Sequence, residues 1–116
     1  MDRYHLVVDG RPVTVVEVAR SFAERSRGLL GRTGLDGALL LQPCSSVHTA
    51  RMQFALDVAF LDADLRVRSV RSLEPWRLSR PRRHIKAVLE AEAGTFGVWG
   101  LQPGVLLELG DRVHEA

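Results

Sequence analysis

Cys44, His48 and Met52 stand at even four-residue steps in "PCSSVHTARM", residues 43–52, and Cys44 is the only cysteine of the chain. Thiolate, imidazole and thioether are soft to borderline donors, the set that a copper or zinc site uses. Such a site needs one more ligand, and His5, His84 and His114 are the remaining histidines. A second chemistry is available to the same residues: Cys44 as a nucleophile, His48 as its base, and Arg51 lending positive potential to the thiolate. The competing reading is packing. A lone cysteine behaves as a small buried hydrophobe, a methionine fills core space, and a loop histidine bonds a nearby carbonyl. The spacing favours this last reading, because three residues fit many accidents and no third catalytic partner is apparent.

Asp57 is the other residue that asks for an explanation. In "QFALDVAFLD", Phe54, Leu56, Val58 and Phe60 alternate with Gln53, Ala55, Asp57 and Ala59, the period of a strand. A carboxylate between alanines on one face of a core strand must be solvated or paired. The expected partners are Arg51 or His48, in a hydrogen bond that pins the 43–52 loop; contact with a ligand is the alternative.

The elements that position these residues are short. "YHLVV" and "VTVVEVA" flank Asp9-Gly10, a hairpin signal, with Pro12 at the turn or an edge. Ser21 and Glu24 match a capping box, which predicts a short helix over about 21–30 with Phe22, Leu29 and Leu30 on its apolar side. "ALLLQ" reads as a buried strand stopped by Pro43. "LRVRSVRSL" follows a turn at 62–64, "IKAVLEAEA" is a further strand, "TFGVWGLQPG" a turn or short helix with Trp99 in the core, and "VLLELGDRVHE" the last strand. These spacings predict one α+β, mainly β domain over residues 1–116, a small sandwich or partly closed barrel with one short helix.

Composition narrows the class. A hydrophobic fraction of 46% and a charged fraction of 26% are those of a globular protein able to bury one core. One cysteine forms no intramolecular disulfide, no apolar run is long enough to span a bilayer, and "MDRYHLVVDG" lacks the pattern of a signal peptide, so the expected compartment is the cytoplasm. The net charge is +2, but residues 66–86 hold eight cations against Glu74 alone. Arg77, Arg80, Arg82, Arg83 and Lys86 with Trp76 offer a nucleic-acid surface, cations for phosphates and an aromatic for a base. Arginine dominates the cations throughout, which makes an Arg-rich loop less surprising, and the favoured reading is a solvated loop with Trp76 packed at its edge.

"RSRGLLGR", "ALLLQPCSSVHTARMQFALDVAFLDADLRVRSV" and "VLEAEAG" together resemble the DUF192 (UPF0127) family, from about Val13 to Asp111. The most specific parts are "RGLLGR", "LDVAFLD" and the strand end Glu90–Gly94. The resemblance implies a compact, mainly β domain with a little helix and a biochemical role that is uncharacterised. Many members carry an export or lipoprotein signal, which this sequence does not show. The family's loop often reads Phe-Trp-Met-x-Asn-Thr before Pro-Leu-Asp. Here Val47, His48 and Thr49 take the first three places, Arg51 and Met52 the Asn-Thr places, and Ala55 the proline, while Leu56 and Asp57 match. A chemistry shared by the family therefore does not depend on His48 or Met52. The resemblance raises Arg27, Gly28, Arg32 and Asp57 instead, with Arg27 or Arg32 pairing with Asp57 or lining a common pocket. The resulting expectation is a non-catalytic ligand- or partner-binding domain without an implied cofactor. Its candidate surface comprises Arg27, Gly28, Arg32, Cys44, His48, Arg51 and Asp57. A copper or zinc site, a nucleic-acid surface and a Cys-His enzyme are the alternatives.

Overall fold

The computed structural model describes residues 1–47 and 52–114. Seven strands form a single sheet in the order β5-β4-β6-β3-β2-β1-β7. They are β1 (Asp2–Val8), β2 (Arg11–Ala19), β3 (Ala38–Leu41), β4 (Leu56–Leu61), β5 (Val67–Leu73), β6 (Ala87–Glu92) and β7 (Leu107–Arg112); α1 (Phe22–Arg27) and α2 (Thr95–Trp99) are short helices. The α+β, mainly β expectation holds, with two helices rather than one. The strands make one open sheet rather than two facing sheets. Its edges are tacked together where Arg66 bridges Leu106 and Val67 N–H donates to the Val105 carbonyl at 2.8 Å, so the sheet coils toward a barrel without closing.

Local chemistry explains the joints. Asp9 and Gly10 both take positive φ (50° and 77°), which matches the right-handed twist of the β1–β2 hairpin. Among the described residues only β2 and β3 pair in parallel, and the long connection between them carries α1. Ser21 caps α1: its hydroxyl accepts from Glu24 N–H at 3.1 Å and the Glu24 carboxylate accepts from Ser21 N–H at 3.1 Å. The helix is shorter than its sequence suggests. Gly28, at φ 47° and ψ −124°, turns the chain off after one and a half turns, and Phe22 is 78% exposed instead of facing the core. Leu29, just past that glycine, is the residue that enters the core.

The central strands β3, β4 and β6 are covered on both faces, which is why they read as nearly unbroken apolar runs. Ala59, Leu61, Leu89, Ala91 and Leu40 feed one core with Phe96 and Trp99 of α2. Leu56, Val58, Phe60, Val88, Leu39 and Leu41 feed the other, under the α1 connection and the loop after β3. Two buried carboxyl groups interrupt these strands, one on each face: Asp57 on the first, Glu90 on the second.

Candidate functional site

Glu90 lies in the middle of β6, between Leu39 of β3 and Val58 of β4, and is 3% exposed. It is the floor of a narrow cavity of about 60 Å³. Leu29, Leu41, Val47 and Met52 form the apolar wall; Arg25, Arg27, Gly28, Cys44 and Ser46 surround the mouth. Among the described residues nothing donates a hydrogen bond to the Glu90 carboxyl and no cation pairs with it. Burial pushes its pKa up from the usual 4.5 to about 8, so at neutral pH the group is a carboxylic acid. A neutral carboxyl carries both a donor and an acceptor, the capacity to bind a polar head.

The roof is held from several sides. Arg32 forms an ion pair with Glu17 at 2.8 Å, and Leu35 N–H donates to the Glu92 carboxylate at 2.7 Å, which ties the connection after α1 to the sheet. The Arg25 guanidinium reaches across to donate to the Pro43 carbonyl at 3.0 Å, while its buried Nε has no hydrogen-bond partner among the described residues. On the other side, Ser79 N–H donates to the Val47 carbonyl at 2.8 Å and Val47 N–H donates to the Ser79 hydroxyl at 2.9 Å. A shallower groove of about 450 Å³ shares Arg25, Cys44 and Ser46 with the cavity and adds Lys86 and Ile85.

Cys44 stands at the divide between cavity and groove. Its thiol donates to the Ser46 carbonyl at 2.9 Å, and burial pushes its pKa up. That is the reverse of what an activated nucleophile needs. At neutral pH, iodoacetamide is expected to alkylate Cys44 in the folded protein much more slowly than it alkylates free cysteine; an equal rate would contradict the burial. Met52 is buried in the core beside the same cavity. His48 and Arg51 lie outside the described residues, and with them the expected Cys44–His48–Met52 metal set and the Cys44–His48 pair. Among the described residues no group of three or more His, Cys, Asp or Glu side chains converges on a metal position.

Of the other expected site residues, Arg27 and Gly28 reach the cavity, whereas Arg32 and Asp57 do not. Arg32 is engaged with Glu17. Among the described residues Asp57 meets no arginine and makes no bond to the 43–47 part of the loop; Arg51 and His48, its expected partners in the 43–52 loop, lie outside the described residues. Its carboxylate accepts from Gly94 N–H at 2.9 Å and Phe96 N–H at 3.1 Å, and from the Ser72 hydroxyl at 2.9 Å. It ties the start of α2 to the sheet on the face away from Glu90, since Ala59 and Leu61, which share its side of β4, belong to the other core. Glu90 was the residue that a reading of the strands could have found. The rule that singles out Asp57, a charge inside a core strand, applies equally to "AVLEA".

The basic stretch is not a free loop. Arg82 turns inward, donating to the Ser69 hydroxyl at 2.9 Å with its guanidinium 4.1 Å from the Phe60 ring centre, and Arg82 N–H donates to the Ser45 carbonyl at 3.1 Å. Trp76 does not pack at its edge but is 68% exposed. No helix among the described residues is long and apolar enough to cross a membrane.

A coiled, open seven-stranded sheet with a carboxyl-floored cavity under the connection between its two parallel strands defines a small pocket-bearing β domain. The chain belongs to the DUF192 family, whose model, described as "Uncharacterized ACR", matches residues 5–109. It is similar to a UPF0127 protein of Pyrococcus horikoshii (30% identical over 103 residues, 84% of each chain) and to one of Pyrococcus furiosus (30% over 114 residues, 93% of each). Among solved structures it resembles a protein of unknown function from Novosphingobium aromaticivorans, with a TM-score of 0.77, 26% identity, and coverage of 90% of this chain and 83% of that one. A structure from Sinorhizobium meliloti matches with a TM-score of 0.78 at 24% identity over 93% of this chain and 92% of that one, a likeness of fold alone.

Proposed function

We propose that the chain is a non-catalytic binding protein whose ligand places a small polar head against Glu90. The observation that carries this reading is a buried carboxyl group that lines a cavity and has no partner among the described residues. Buried polar groups are paired as a rule, and a carboxyl held without a partner in a pocket marks a candidate functional site. The cavity is far smaller than the roughly 300–1,000 Å³ that encloses a drug-sized molecule, so it takes a head group only. The remainder of the ligand lies in the adjoining groove, where Arg25 and Lys86 favour polar or anionic character. A neutral carboxyl with one donor and one acceptor pairs best with a head that offers both, such as a primary amide.

The test uses three probes of one size: propionamide, propionate and propylamine, followed by amide NMR at slightly acidic pH. Propionamide is expected to shift the resonances of Arg27–Leu30, Ser46 and Glu90 in the wild type and to leave them unmoved in Glu90→Leu. A response confined to propylamine would keep the cavity as the site and reassign its ligand to a cation. Silence from all three probes would remove the reading.

A further inference from the structure

The segment 74–78 is a short excursion between two buried residues, Leu73 at the end of β5 and Ser79, which is bonded to Val47. It presents Trp76 (68% exposed) and Leu78 (76% exposed), two of the few large apolar side chains that the fold leaves uncovered. Single exposed apolar residues are ordinary, but these two stand two positions apart on one held excursion. Around them in the chain, Arg71, Arg80, Arg83 and Lys86 are exposed and have no ion pair among the described residues. Opposing charge is sparse: Glu74, 3.8 Å from Arg77, is the one acidic residue between Asp64 and Glu90. The remaining cations of the stretch are occupied, Arg66 on the Gly104 carbonyl, Arg68 beside Asp62, and Arg82 over Phe60.

We infer that this excursion is a docking surface for an anionic lipid bilayer, with Trp76 and Leu78 entering the interface and Arg71, Arg80, Arg83 and Lys86 meeting lipid phosphates. Charge complementarity selects an anionic partner. The apolar pair selects a bilayer over nucleic acid, because a tryptophan settles at headgroup level and a leucine in the acyl boundary, whereas a nucleic acid would stack the indole and leave the leucine in water. The excursion is fastened to the same Val47 that walls the cavity, so the docked orientation would bring the Glu90 cavity near the membrane surface. This surface stands independently of the cavity's role.

The test is co-sedimentation of the full chain with vesicles of phosphatidylglycerol and phosphatidylcholine, and of phosphatidylcholine alone, at low and high salt. Tryptophan emission supplies a second readout, because Trp76 is exposed and Trp99 is buried. Binding to the anionic vesicles, weakened by salt, with a blue shift of Trp76, is the expected result. Arg80→Ala with Arg83→Ala should lower the partition coefficient by about 25-fold, from roughly fivefold for each cation near the surface. Trp76→Phe should abolish the blue shift while keeping sedimentation, and Trp76→Ser with Leu78→Ser should reduce sedimentation itself. All these positions are exposed, and unchanged thermal unfolding confirms that each variant folds. Failure to sediment at low salt, equal binding to phosphatidylcholine alone, indifference to the arginine changes, or binding to short duplex DNA in place of vesicles would each overturn the proposal.

Discussion

Glu90→Gln is expected to flatten the fall of stability with pH and to leave the protein more stable than wild type at pH 8. The sign follows from the direction of the shift. Glu90 has its pKa raised by burial from 4.5 to about 8. Below pH 4.5 the group is protonated in both folded and unfolded chains and contributes no difference. Between 4.5 and 8 the unfolded chain ionises while the folded one keeps its proton, so stability declines as pH rises. Above 8 both forms ionise and the loss is complete. At about 1.4 kcal/mol per pH unit, the loss across the window approaches about 4–5 kcal/mol, an upper value because relaxation and water entry reduce it. Glutamine has nearly the same shape and cannot ionise, so the difference between the two urea midpoints should be small near pH 4.5 and grow steadily to pH 8. A difference that stays constant with pH would mean that Glu90 is ionised and paired, and would remove the basis for the cavity's polar floor.

Asp57→Ala should destabilise the fold by about 3–4 kcal/mol through loss of charge-assisted hydrogen bonds and two backbone donors left without an acceptor. The Gly94 and Phe96 N–H groups lose their shared acceptor, and Phe96 sits in a buried position. Ser72 is exposed and can turn to water. The damage falls on α2, whose Phe96 and Trp99 rings, 6.0 Å apart, fill the core on that face. Asp57→Asn keeps one acceptor and should cost about half as much. Urea denaturation measures both. Because Asp57 and Glu90 serve opposite faces of the sheet and share no partner, their effects should add within experimental error. A near-neutral Asp57→Ala would show that α2 does not depend on this bond. Strong coupling to Glu90→Gln would show that the two cores are not independent.

The amino-acid sequence by itself determined the local elements. Asp9-Gly10 forms the hairpin because both residues tolerate positive φ, Ser21 and Glu24 close the capping box, and the alternation of β4 splits its side chains between two faces. These are short-range effects of backbone sterics and periodicity. They also sufficed to single out Asp57 as a residue needing a partner, and the family resemblance singled out Arg27 and Gly28, which line the mouth of the cavity. The partners themselves were decided only by tertiary structure. Asp57 bonds Gly94 and Phe96, 37 and 39 positions away, and Arg32 pairs with Glu17 across the β2–β3 crossover. The cavity draws on α1, β3, the loop after it and β6, segments whose convergence depends on strand order. Strand order is set by which apolar faces can be buried together over the whole chain, and no window of neighbouring residues contains that information. Glu90 shows the difference most plainly: its charge in a core strand is visible in "AVLEA", but that it faces a cavity rather than a partner is a property of three strands meeting.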